Sequence, residues 1–235
     1  MQTKLLDRPV RSSVLPAGAV ALTVALLALL AWDLSHLDLW AVRLGGDAGG
    51  FALREAWVTR VLIHEGGRLV SYLAMGFIVL LNLVPRLLPA LSRQERRWWL
   101  VTTLVCLGVI SLMKRFSLTS CPWDLAEFGG VAQYVSHWVL GAHDGGGGHC
   151  FPSGHASAAF AYLAGGWALA RAYPRAARAW VLACVLLGIV YGVGQMLRGA
   201  HYPSHTMWTA WICWAVTVVA AYSGLRRRLN RAGAA

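Results

Sequence analysis

The stretch WWLVTTLVCLGVISLM fills residues 98–113 without one charged side chain, bounded by Arg93, Arg96 and Arg97 on one side and by Lys114 and Arg115 on the other. As a helix it rises about 24 Å, close to the roughly 30 Å hydrocarbon core of a bilayer. Five further apolar runs, at 16–32, 69–88, 155–170, 179–197 and 206–222, have comparable lengths. The reading is an all-α fold. One integral-membrane domain over 1–235 forms a polytopic bundle of six transmembrane helices, with an amphipathic helix and loops on its outer face.

Of the 235 residues, 57% are hydrophobic and 13% charged, which excludes a soluble domain with an ordinarily charged surface. The net charge of +11 is spread as small clusters between apolar runs instead of gathered on one solvated face, so nucleic acid is not an expected partner. Six spans place both termini on one side. That side carries 14 Lys and Arg against two acids, the other side seven against eight. The positive-inside rule then makes the termini cytoplasmic. The first run is followed by no persuasive small-residue cleavage site and is read as a retained span, not a removed signal.

The outer side consequently holds two long connections, 33–68 and 114–154, and a short turn at 198–205. Within the first, Phe51, Leu53, Trp57, Val61 and Leu62 recur at helical spacing among charged residues, as in an interfacial amphipathic helix. Gly145 to Gly148 read as a flexible loop tip, since the lysine and hydroxyl of a nucleotide-binding loop do not follow. Many of the 12 Trp and seven Tyr, among them Trp32, Trp40, Trp98, Trp99, Trp138, Trp208 and Tyr222, sit near span ends as headgroup-level anchors.

Three polar clusters converge on this outer face: Lys114, Arg115, Cys121, Pro122, Trp123 and Asp124; Phe151, Pro152, Ser153, Gly154 and His155; and Gln195, Arg198, His201 and His205. For the cations at span ends two readings stand, snorkelling to headgroups or contact with an anionic ligand. Ser153 can cap the helix that follows, and Gly154 permits close backbone approach. The amide donors of that helix start suit phosphate oxygens, with His155 standing beside them. His201 and His205, four apart, either share a helical face or let one ring orient the other; either arrangement supplies a nucleophile, and a core pair without chemistry is the plainer reading. Zinc is disfavoured because no acidic ligand lies near the pair.

In order and spacing these clusters resemble the membrane members of the type 2 phosphatidic acid phosphatase superfamily. That pattern runs from a lysine with Arg-Pro, through Pro-Ser-Gly-His, to Ser-Arg with a histidine and an aspartate beyond. Lys114 and Pro122 match the first motif, Pro152 to His155 the second in full, and His201 the third. Cys121 stands where the first arginine is expected, Gln195 where the second is, and His205 where the aspartate is. The Cys-Pro-Trp and Arg-Gly-Ala-His stretches also resemble a bacterial subgroup of that superfamily.

The resemblance implies a bacterial inner-membrane, multi-pass enzyme with its active site on the periplasmic side. His201 would attack phosphorus to form a phosphohistidine that water releases, and His155 would act as acid and then base. Lys114, Arg198, Arg115 and the amides near Ser153 and Gly154 would hold the phosphoryl oxygens. Gln195 would add a neutral hydrogen bond, and His205 would orient His201. Asp124 or Glu127 could stand in for the missing aspartate. No metal or other cofactor is implied. Cys121 and Cys150, the only outer-side cysteines, can pair in an oxidising periplasm, whereas Cys106, Cys184 and Cys213 lie in spans as small buried hydrophobes. The expected substrate is a phosphorylated membrane lipid, a lipid phosphate or polyprenyl diphosphate. Lipid-to-lipid phosphotransfer and nonhydrolytic lipid-phosphate binding are the alternatives, and protein partners are not specified by the sequence.

Overall fold

The structure, a computed structural model, describes residues 14–232, with side chains placed from 18 to 223. The terminal-side residues Lys4, Asp7, Arg8 and Arg11, and the side chains of Arg226, Arg227, Arg228 and Arg231, lie outside the described residues.

Helix α1 (Val14–Leu34) turns by 68° into α2 (Leu37–Arg43) at His36, whose φ of 58° breaks the helical path. Trp32 Nε1 spans the bend by donating to Asp38 Oδ1 at 2.9 Å. Two-residue strands β1 (Gly46–Asp47) and β2 (Gly50–Phe51) pair antiparallel, Gly46 opposite Phe51. A π-helix, Val58–Glu65, then runs into α3 (Gly66–Leu83), and Pro85 lies just beyond its end. Ser92 and Glu95 form a reciprocal capping box at the start of α4 (Arg93–Phe116). After a long outer connection come α5 (Ser157–Phe160), a 3-10 turn at Ala161–Leu163, and α6 (Ala164–Leu169). The long helices α7 (Pro174–Leu197) and α8 (Pro203–Ala232) complete the chain.

Among the described residues, four helices are long and apolar enough to cross a membrane: Val58–Leu83, Arg93–Phe116, Pro174–Leu197 and Pro203–Ser223. The bent pair α1–α2 makes a fifth if it counts as one broken span. Two differences from the sequence reading follow. The run 155–170 forms only a short apolar helix, Ser157–Leu169, about 20 Å long. It lies among α3, α4, α7 and α8, and its small residues allow that: Ala156, Ala161 and Ala164 are fully buried, and a Cβ on Gly165 would strike Trp99 and Trp180. The expected interfacial helix is the other difference, because Trp57, Val61 and Leu62 belong to the start of the helix that becomes α3. The backbone continues through Arg60, Glu65 and Arg68, where hydropathy alone suggests a break.

The main core gathers around Trp99, Ile78, Leu81, Ile110 and Phe160, with Trp99 edge-on to Trp180 at 5.0 Å between ring centroids. A second apolar cluster of Val42, Phe51, Leu125, Phe128, Ala132 and Tyr202 seats the outer connections over the bundle. The glycine run is anchored there, not loose. Asp144 accepts from Ser120 N–H at 2.5 Å, Ser120 Oγ–H at 2.8 Å and Gly146 N–H at 3.0 Å, and Ser120 Oγ accepts from Gly148 N–H at 3.0 Å. Asp38, buried beneath the same loops, accepts from the Ser204 N–H and hydroxyl, so a carboxylate from α2 caps the start of α8.

Candidate active site

Each of the three clusters reaches the site from a different element. The last turn of α4 carries Lys114, whose Nζ donates to the His149 carbonyl at 2.6 Å. Its stem passes close to Gly154: a Cβ there would lie 3.3 Å from Lys114 Cδ, a tight contact that the lysine stem would have to shift to accept. Two residues before α5 stands His155, with Nε2 3.3 Å from the Ile63 carbonyl. Ser153 serves the helix start: its Oγ accepts from Ala156 N–H at 3.3 Å, and its own N–H donates to the His205 carbonyl at 3.2 Å.

His201 follows a tight reversal after α7. The Gln195 carbonyl accepts from Ala200 N–H at 2.8 Å and His201 N–H at 3.3 Å, and Gly199 adopts a φ of +72° under the Phe51 ring, a conformation and a closeness that a side chain would spoil. The resulting cavity of about 400 Å³ is lined by Lys114, Gly154, His155, Gln195 and His201, together with His64, Arg68 and Trp123, and Tyr72, Leu107 and Ala158 also line it.

His64 and Arg68 are missing from the sequence-based set. They sit four apart on one helix face, but that face reads as part of an amphipathic segment, and nothing local says that α7 approaches it. Of the other expected residues, Ser153, Arg115, Arg198 and His205 are not among those that line the cavity. Arg115 is exposed, while Arg198 is buried and donates through Nε to the Arg54 carbonyl at 2.9 Å, its pKa lowered mainly by burial. The guanidinium of Arg54 covers the Trp123 ring at 4.5 Å. Arg198 thus braces the rim, and the cations lining the cavity are Lys114 and Arg68.

His205 lies behind His201, the two Nδ1 atoms 3.5 Å apart, and its Nδ1 also lies 3.1 Å from the Cys150 carbonyl. The acids offered as substitutes for an aspartate are engaged elsewhere: Asp124 accepts from Cys121 N–H and Trp123 Nε1–H, and Glu127 pairs with Arg43 at 2.5 Å. The carboxylate on the far side of His205 is Asp33. Its Oδ2 meets His137 Nε2 at 3.4 Å and the indoles of Trp138 and Trp208 at 2.9 Å, and the His137 ring lies edge-on to His205 at 5.7 Å.

A disulfide joins Cys121 to Cys150 beside His201, with Cys150 Sγ 3.6 Å from His201 Nδ1. The ligand atoms of Cys121, Cys150 and His201 fall within 4.8 Å of one another, but sulfurs bonded to each other are not the thiolates a metal would take.

Burial first, and then the Lys114 cation, push the His201 pKa well below the ordinary imidazole value of 6.5, against the pull of a hydrogen bond with the Cys150 carbonyl. The ring is therefore unprotonated at ordinary pH, with its nitrogen lone pair free. In the unfolded chain it returns to its ordinary pKa and binds a proton first as pH falls, so this contribution to stability is present above 6.5 and is lost on acidification. The expected NMR result is a His201 ring resonance that shows no inflection around the ordinary imidazole value of 6.5. An inflection near 6.5 assigned to His201 would contradict it.

A family model described as the PAP2 superfamily matches residues 96–229, from the start of α4 through α8. No curated protein and no solved structure matches the chain.

Proposed function

The chain belongs to the PAP2 superfamily, which covers phosphatases acting on lipid phosphates, and from that premise we propose that it is a membrane phosphatase for lipid phosphates or polyprenyl diphosphates, working through a phosphohistidine on His201. One observation carries the reading: His155, His201 and Lys114, from three separate stretches, line a single cavity to which Tyr72, Leu107 and Ala158 add apolar surface. A phosphorylated amphiphile fits that division, headgroup among the polar groups and chain along Tyr72, Leu107 and Ala158.

In the proposed reaction the neutral His201 attacks phosphorus through Nε2, since Nδ1 faces His205 and the Cys150 Sγ. Burial lowers the His155 pKa to about 4, so its ring starts neutral; it takes the proton that a monoanionic phosphate ester brings and passes it to the leaving oxygen as the phosphorus–oxygen bond to the lipid breaks. Water then attacks the phosphohistidine, His155 takes its proton and returns it to the departing inorganic phosphate, and His201 is restored. The ammonium of Lys114 and the guanidinium of Arg68 offset the charge on the phosphoryl oxygens throughout.

The same reading takes α1–α2 as a broken first span and Ser157–Leu169 as a short fourth one, with cytoplasmic termini and a periplasmic site in a bacterial inner membrane. The test is a panel of lipid mono- and diphosphates in detergent micelles, with inorganic phosphate and dephosphorylated lipid both quantified. Stoichiometric release of the two is expected. Transfer of the phosphoryl group to another lipid without free phosphate would make the protein a transferase, and binding without either product would remove the catalytic reading.

A further inference from the structure

Four polar side chains of the cavity, His64, Arg68, Ser71 and Tyr72, come from outside the three motif clusters and outside the family-matched region, and His64 is held in a way that defines its chemistry. His64 is the penultimate residue of the π-helical segment that runs into α3. Its ring stacks on His155 at 4.4 Å between centroids and 25° between planes, and its Nδ1 lies 3.2 Å from the side-chain Nε2 of Gln195 on α7. The amide nitrogen can only donate, so His64 Nδ1 accepts and the ring proton sits on Nε2, the nitrogen that Gln195 does not engage.

The approach of this helix to the others is close. A Cβ on Gly67 would lie 2.8 Å from the Tyr191 ring and 3.2 Å from His155 Nε2, so that glycine is what lets α3 start against both α7 and the second motif. A π-helical turn admits an extra residue and shifts the side chains that follow it, a device frequent at functional sites. Arg68, one helical turn beyond His64, lines the same cavity and donates to Tyr72 OH at 3.3 Å.

We infer that His64 is a ligand of the phosphoryl group, donating from Nε2 and oriented by Gln195, with Arg68 as the accompanying cation. The inference rests on the phosphatase reading for the identity of the ligand, and it deepens that reading by assigning what replaces the two arginines of the resemblance. Position 121 holds a disulfide sulfur and position 195 an amide, neither of them a cation. Gln195 acts as a positioning residue through His64. Its carbonyl also closes the turn that presents His201, so one residue sets the donor and the nucleophile relative to each other.

The experiment measures inorganic phosphate binding to the purified protein by ³¹P NMR, in parallel with KM and kcat for a lipid phosphate. For His64→Ala we expect phosphate affinity to fall and KM to rise by about tenfold or more, the scale of one lost charge-assisted hydrogen bond. His64→Asn, which keeps a donor, should recover part of that loss. Gln195→Leu should have a smaller effect of the same sign and add little on top of His64→Ala, because it acts through the same ring. Unchanged phosphate affinity and KM in His64→Ala overturn the inference; if that variant does not fold, unchanged values in His64→Asn and Gln195→Leu overturn it equally. A wild-type protein that binds phosphate through His64 yet turns over no lipid phosphate overturns the phosphatase reading and leaves this one standing.

Discussion

His201→Ala is expected to lower turnover of the preferred lipid phosphate by at least about 10³-fold, because no other group can take over bond formation to phosphorus. The geometry isolates it for this role. His155 is stacked on His64 and engaged near the Ile63 carbonyl, and His205 lies behind the nucleophile with its Nδ1 against the Cys150 carbonyl. Substrate binding should survive much better than turnover, since Lys114, Arg68 and His64 remain. Two measurements check this: initial rates with isotopically labelled lipid phosphate, and recovery of an acid-labile phosphoenzyme from wild type but not from the variant. A variant within tenfold of wild type would remove His201 as nucleophile. His155→Ala, by contrast, should still form some phosphoenzyme from a substrate with a good leaving group, because that group departs without a proton donor.

Loss of the Cys121–Cys150 disulfide should have the largest effect on stability. The bridge closes a sequence separation of 29 residues, and the chain-entropy model assigns about 3–4 kcal/mol to a loop of that size. Function should fall with it, for three parts of the site are tied at that point. Cys150 supplies the carbonyl facing His205, Trp123 N–H donates to the Gly199 carbonyl at 2.8 Å in the turn before His201, and Asp124 closes the loop back on Cys121 N–H. Cys121→Ser with Cys150→Ser, or the wild type treated with reductant, is expected to unfold at lower temperature and to lose most turnover, with reoxidation restoring the treated wild type alone. Equal melting temperatures and rates with and without reductant, the reduced state confirmed by thiol labelling, would show that Asp144, Ser120 and the apolar cluster around Phe51 hold the loops unaided.

Much of the candidate site is legible in the amino-acid sequence because its signals are local: the Pro-Ser-Gly-His stretch at 152–155 and the histidines at 201 and 205 stand out at fixed spacings among the apolar runs. The obscure parts depend on tertiary approach. His64 has no periodic signal of its own and gains its meaning from an amide 131 positions away in sequence. Arg198 looks like the natural replacement cation from its spacing to His201, but the Arg54 carbonyl claims its Nε. Hydropathy sees the run 155–170 as equivalent to the longer spans, although its alanines and glycines suit it to a central position among larger side chains. The four glycines at 145–148 suggest looseness until Asp144 and Ser120 are seen to fasten them.

The cap that Asp38 places on Ser204 bears on how such a site could be inherited or transplanted. All three motif clusters fall within 114–205, inside the family-matched region, yet the helix carrying His205 begins under a carboxylate from α2, and one wall of the cavity belongs to α3. A graft of the motif-bearing segment onto other helices would therefore carry the reacting groups without the scaffold that aims them. The proposed histidine site is not a portable cassette, because its surroundings include the amino-terminal third of this chain.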